Sequence, residues 1–131
     1  MRHRGRLRVE PALDIISFLI YPQGVTWRVE VLDRRVEREL DELASDVRQR
    51  FLRIVELVET YGLDAMHEPH IKHLEGRLWE MRMKGKDGIA RAVYVTATGK
   101  RVVVVHAFSK KTQKTPARAL EIARARAKEV V

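Results

Sequence analysis

Cysteine is absent from the chain. Disulfides and cysteine-based zinc sites are therefore excluded, and a reducing cytoplasm is the expected compartment. Long apolar runs are missing as well. The stretch from Ile15 to Tyr21 is seven residues long, bounded by Asp14 and Pro22. It is too short to cross a bilayer, which takes about 20 residues. No small-x-small cleavage site follows it, so a secretory signal is not expected either. Internal repeats, linkers and low-complexity segments are also lacking, and no membrane partner is expected.

What is present suits one domain. The chain has 131 residues, 34% charged and 45% hydrophobic, enough to bury a single compact core. The net charge of +8 is unevenly placed. Residues 25–69 carry 7 basic and 11 acidic groups, whereas residues 70–115 carry 11 basic and 3 acidic ones, a local +8. Such concentration is the footprint of a localised contact with a polyanion rather than of general solubility.

That basic region has the pattern of an antiparallel meander. Leu78 to Lys84, Ile89 to Thr96 and Arg101 to Ser109 are rich in β-branched and apolar residues, which fit a pleated, half-buried surface. Gly85-Lys86-Asp87-Gly88 and Ala97-Thr98-Gly99-Lys100 separate them, and glycine supplies the positive φ of tight turns. Alternation puts Trp79, Met81 and Met83 on one face, and Glu80, Arg82 and Lys84 on the other. A two-residue turn sets Lys84 opposite Arg91 and a four-residue turn sets Arg82 there. Parity leaves Arg82, Lys84 and Arg91 on one face in both cases. A two-residue turn at Thr98-Gly99 then sets His106 opposite Arg91.

Like charges facing one another destabilise a sheet, and an anion such as phosphate relieves them. Alternating charges usually mark a solvated face. Here the same pattern assigns Val93, Val95, Val102, Val104 and Phe108 to the basic face, which predicts a partly covered groove with an apolar floor and basic walls. Glu80 is placed to orient the arginines through charge-assisted hydrogen bonds.

The flanking segments complete an α+β reading. Trp27 to Val31 alternates as a first strand. Val36 to Tyr61 has apolar residues at three- and four-residue steps. Ser45 or Asp46 is a candidate cap splitting it into two helices, and Gly62 is its stop. His67, His70 and His73 sit at three-residue steps, but Pro69 breaks a shared helical face. They are expected in a loop, and no metal is expected. A last helix starts after Pro116, with Thr115 as its expected cap. Its Arg118, Arg124, Arg126 and Lys128 are expected on a solvated face. The architecture expected is two N-terminal helices on a small antiparallel sheet, with a C-terminal helix.

The runs KHLEGRLWEMRMKGKDGIAR and VVVVHAFSKKTQKTP, followed by a helix with Glu121 and Ala123, resemble the RelE/ParE superfamily. Within it the likeness is to HigB-type toxins of bacterial toxin–antitoxin pairs, phage-derived relatives included. It extends from about Trp27 to the C-terminus. Residues 1–24 are therefore expected to be an extension, poorly ordered or adding a strand-like edge, or else sequence upstream of the true start, and 25–131 the toxin domain. One departure is Ala90, where the family often has an aromatic residue before the arginine of the second strand.

The resemblance implies a RelE-like fold and a metal-independent, cofactor-free endoribonuclease acting on mRNA in the ribosome. It implies a helix-turn-helix antitoxin as partner, with DNA met only through that antitoxin. In such cleavage the ribose 2′-hydroxyl attacks the adjacent phosphate. A base, cations on the developing phosphorane and an acid at the leaving oxygen are required. By position, Arg91 resembles the arginine that holds the scissile phosphate, and Arg82 and Lys84 its basic neighbours. Lys84 and His106 are alternative bases, the latter because histidine titrates near neutrality. Lys110 and Lys111 are candidates for protonating the leaving group, and Lys86, Thr112 and Lys114 for gripping the RNA backbone. Two rivals use the same residues: a non-catalytic nucleic-acid-binding module and a ParE-like toxin that binds gyrase.

Overall fold

The computed structural model describes residues 7–9, 26–110 and 114–131. The apolar run Ile15–Tyr21, Lys111 and Thr112 lie outside the described residues. The elements are strands β1 (Leu7–Arg8) and β2 (Arg28–Val31), helices α1 (Arg34–Asp41) and α2 (Ser45–Tyr61), and a short 3-10 turn (Leu63–Ala65). Strands β3 (Ile71–Glu75), β4 (Leu78–Lys84), β5 (Ile89–Ala97) and β6 (Arg101–Lys110) follow, then helix α3 (Ala117–Ala127). No helix among the described residues is long and apolar enough to cross a membrane.

The fold is mixed α+β, but the sheet is larger than the small antiparallel one expected, and it is mixed. Six strands run in the order β1-β2-β6-β5-β4-β3. β2 pairs parallel to β6, while the other neighbours are antiparallel. The parallel pair explains why Val102, Val103, Val104 and Val105 are all buried. A central strand covered on both faces reads as a continuous apolar run rather than as an alternation. Ile71–Glu75, expected as loop, is a strand at one edge of the sheet. Its mostly exposed residues hide the strand signal. At the other edge Leu7–Arg8 add two residues to β2.

The helical stretch is indeed split, though by other caps. Asp33 caps α1, its carboxylate accepting from the Arg35 N–H at 3.0 Å. Neither Ser45 nor Asp46 caps α2, whose N-cap is Ala44 with no side-chain bond. Gly62 does end α2, its N–H bonding to the Val58 carbonyl. Val47, Phe51, Ile54, Val55 and Val58 of α2 are buried in the core with Met81 and Met83 of β4. Burying each such side chain contributes about 1.5–3 kcal/mol.

The meander strands fall almost where the alternation puts them, but one register differs. Gly85 to Gly88 form a four-residue connection, so Arg82 lies directly opposite Arg91. The β5–β6 turn takes three residues, with Gly99 at φ 85° and Lys100 at φ 56°. The pairing then shifts again between Val93 and Tyr94, leaving Val105 as an unpaired extra residue of β6. His106 consequently opposes Val93, and Phe108 opposes Arg91. The two shifts restore parity, so His106 keeps the face of Arg91. Val102 and Val104 do not: they pair with Thr96 and Tyr94, on the opposite face, and Val103 takes their place opposite Val95.

Candidate functional site

A row of side chains crosses one face of the sheet near the β4–β5 hairpin. The β3–β4 pairing of Ile71 with Met81 and Lys72 with Glu80 brings His70 level with Arg82, and the Arg82 N–H donates to the His70 carbonyl at 2.8 Å. The row is thus His70, just before β3, followed by Arg82, Arg91 and Phe108 on three successive strands. Strands lie about 4.8 Å apart, so the row spans roughly 15 Å.

Beneath it sits a carboxylate. Glu80 is 1% exposed and Arg91 3% exposed. The Arg91 Nε donates to Glu80 Oε2 at 3.1 Å, and its Nη1 donates to the Ala90 carbonyl at 3.1 Å. The Arg82 Nε lies 3.7 Å from the same Oε2. Thr115 donates its hydroxyl to Glu80 Oε1 at 3.0 Å. Thr115 is thus no helix cap; it is the second anchor of the buried carboxylate. Glu80 plays the orienting part expected of it. Burial pulls the Arg91 guanidinium down from its ordinary value, and Arg82 adds to this while Glu80 opposes it. An arginine stays charged all the same.

Lys110 is 5% exposed, at the end of β6 opposite Ile89. Burial lowers its pKa, and the charges of Arg91, Arg82 and Lys72 lower it further, with Glu80 acting the other way. Lys84 and Lys86 stand exposed at the hairpin, and Lys114 is exposed after the last strand.

A groove of about 780 Å³ opens over this region. Among its eleven lining residues are the cations Arg50, Arg82, Lys84, Lys86 and Arg91, against one acid, Asp46. The remainder of the wall includes His70 and the apolar Pro69, Met83 and Ile89. A basic groove with apolar patches is therefore present, and five cations to one carboxylate make an anionic ligand the natural occupant. Arg50 and His70 are the members that sequence reasoning missed. Arg50 looks like a solvated helix residue, and His70 like part of a histidine run.

His106 belongs elsewhere. Its Nδ1 lies 3.0 Å from Glu39 Oε1, and its ring stacks on Phe108 at 5.0 Å. Glu39 also accepts from the Ala107 N–H at 3.0 Å and from Arg126 Nη1 at 3.0 Å. Arg126 donates in turn to the Val105 carbonyl at 2.9 Å. Burial raises the Glu39 pKa, but the bonds from His106, Ala107 and Arg126 outweigh it and hold the carboxyl below its ordinary value. Arg126, expected on a solvated face, thus locks α3 to α1 and to the bulge in β6. His106 does not line the groove.

The other histidines do not converge. His73 lies on β3, its Nε2 2.9 Å from the Gly76 carbonyl and its ring against Trp79. Among the described residues no group of three metal-ligating side chains is placed to hold an ion.

A family model described as phage-derived protein Gp49-like matches residues 38–128. That span takes in the end of α1, all of α2, the whole meander and α3, and with them every groove residue named above. Comparison with curated proteins found no match. The chain belongs to the phage-derived Gp49-like family, a RelE/toxin-like family.

Proposed function

We propose that this protein is the toxin of a type II toxin–antitoxin pair, of the HigB type on a RelE-like domain, and that it cuts mRNA on the ribosome. The observation that carries the reading is the direct opposition of Arg82 and Arg91 in a basic groove, both near buried Glu80. Two guanidiniums face across one strand pair with a single buried carboxylate between them, so the pair carries excess positive charge that a second anion offsets. A phosphate bridging them accepts bidentate hydrogen bonds that lysine cannot reproduce.

The reaction follows from that placement. The RNA 2′-oxygen forms a bond to the phosphorus, the bond from phosphorus to the 5′-oxygen breaks, and a 2′,3′-cyclic phosphate and a 5′-hydroxyl result. The 2′-hydroxyl proton passes to a base, and a proton is delivered to the leaving 5′-oxygen. Arg82 and Arg91 neutralise the phosphorane. Lys84 and His70 stand at the groove as the groups to take the proton, and Lys110, with its depressed pKa, is suited to supply the other. Lys86 and Lys114 grip the flanking backbone. The cations of the chain provide the charge stabilisation, so the reaction needs no metal or other cofactor.

The test is a reconstituted translation reaction in which new 5′ ends are mapped by primer extension. Wild type cleaves mRNA only during translation, and chelation by EDTA of metals not required by the ribosome leaves the cut in place. Arg82→Ala loses on the order of a hundred- to a thousandfold in rate, as removal of one preorganised donor does. Inhibited growth without any RNA cleavage would overturn the reading and favour a gyrase-binding toxin. RNA binding without cleavage would favour a non-catalytic module. The partner is tested separately: a short helix-turn-helix protein encoded alongside should co-purify with the chain and abolish its toxicity, presenting acidic or apolar segments to the basic surface.

A further inference from the structure

The groove has two walls, and of the second, formed by Arg50 and Lys86, only Lys86 was expected. We propose that the second wall is a separate phosphate subsite for the same RNA strand, formed by Arg50 of α2 and Lys86 of the β4–β5 hairpin, with Asp46 as the positioning residue. This rests on the RNA-cleaving reading and adds to the flanking-backbone contact of Lys86 a second cation, Arg50, and a device that positions the two.

Arg50 and Lys86 come from elements far apart in sequence, yet both line the groove that holds Arg82 and Arg91. Arg50 is exposed, and among the described residues it has no hydrogen-bond or ion-pair partner. The neighbouring carboxylate does not neutralise it through a bond. Asp46 Oδ2 accepts from the Lys86 N–H at 2.6 Å, and Oδ1 from the Val47 N–H at 2.9 Å. Both oxygens are thus turned to backbone. The result is a tether between hairpin and helix.

Packing says the same independently. A Cβ placed on Gly85 would lie 2.5 Å from Val47 Cγ2 and 2.8 Å from Asp46 Oδ2. Only glycine lets the hairpin sit this closely on α2. The Lys86 backbone is therefore held at a fixed distance from Arg50, and the two cations face one groove. A strand whose cut phosphate lies on Arg82 and Arg91 thus meets further cations, Arg50 and Lys86, in the same groove. A phosphate that is held but not cut needs charge more than a fork, so a lysine at position 50 suffices there.

Two measurements test this. The probe is a single-stranded RNA oligonucleotide with 2′-O-methyl riboses, which binds but cannot be cut. Its dissociation constant is followed by fluorescence anisotropy across a salt series. For single strands log K falls with log salt at about 0.7 per phosphate contact. Arg50→Ala should lower the slope by about 0.7, and Arg50→Lys should restore it. Asp46→Asn separates tether from charge by sign. Removing a negative group from the groove strengthens RNA binding on charge alone, whereas loss of the tether weakens it, and weakening is the result expected. The proposal is overturned if Arg50→Ala keeps the wild-type slope while Arg82→Ala lowers it, or if Asp46→Asn binds more tightly. If the wild-type protein binds no free RNA oligonucleotide, the second subsite is overturned, whereas the RNA-cleaving reading is decided by the reconstituted translation reaction.

Discussion

Glu80 and Arg91 form a buried ion pair, carboxylate to guanidinium at 3.1 Å, on adjacent strands in the middle of the basic face. Each is positioned by a further bond, Glu80 by the Thr115 hydroxyl and Arg91 by the Ala90 carbonyl. A charge buried this deeply depends on its partner. The arginine in the groove is thereby part of the fold as well as of the site.

The sequence alone suggests that Arg91→Ala removes one of several like charges at no cost to the fold. The burial of the pair reverses that expectation. Arg91→Ala leaves Glu80 with Thr115 and the more distant Arg82, and should lower stability by about 3–5 kcal/mol. Thermal melting should show a large drop in Tm. The double variant Glu80→Gln with Arg91→Ala should recover part of it, because the stranded charge is gone. An Arg91→Ala protein that melts like wild type would contradict the pairing.

Lys110 gives a prediction in pH. If it donates the proton to the leaving oxygen it must be protonated, so the rate falls as pH rises through its pKa. Burial and the neighbouring cations put that pKa below the ordinary lysine value, which is about 10.4. Single-turnover cleavage should therefore decline on the alkaline side earlier than a solvated lysine allows. Lys110→Arg, always protonated, should remove that limb while lowering the maximal rate. An unchanged alkaline limb in Lys110→Arg would exclude Lys110 as the acid.

His106 and His70 should behave in opposite ways. His106→Ala removes a partner of Glu39, and should cost about 1–3 kcal/mol without a selective loss of rate at matched folded fraction. His70→Ala leaves the fold intact and should lower the rate. The sign in pH also follows. The folded-state pKa of Glu39 is depressed, so its contribution is present above the unfolded carboxylate value, about 4.3. It is lost as pH falls through the folded value. In His106→Ala the depression is smaller, so denaturant titrations should show less stability at pH 7 and a shallower loss as pH falls below the ordinary carboxylate range.

Gly85→Ala is a packing test. The added methyl meets Val47 Cγ2 and the Asp46 carboxylate, and forcing a group into a closed contact typically costs about 1–3 kcal/mol. Tm should fall, and the Lys86 amide should exchange with solvent faster than in wild type, since the bond to Asp46 is stretched. Protection of that amide equal to wild type would refute the tether.

The parts legible in the sequence are those set by local rules. β4, β5 and β6 show themselves because apolar runs alternate between glycine-bearing turns, and Arg82 shares a face with Arg91 by parity alone. The position of His106 was not legible. It depends on a three-residue turn with two positive φ values and on the bulge at Val105, and neither leaves a distinct mark in composition. β3 was hidden by its polar edge. The partners of Glu39, Arg126 and Thr115 are non-local, so each looked like a surface or capping residue. Arg50 enters the groove only because Gly85 lets the hairpin reach α2.

The parallel pairing of β2 with β6 has a consequence for the order of events on the ribosome. On the side that faces β6, Arg28 to Val31 must wait for Arg101 to Val104, a separation of more than half the chain, before the backbone groups there find strand partners. Contacts so distant in sequence close slowly, and only after intervening segments have been made. The cleft residues of β4 and β5 are synthesised earlier, but the strand that buries them on one side, and Thr115 that anchors Glu80, come later. A nascent chain is therefore assembled into its working form only after β6 and Thr115 have been made.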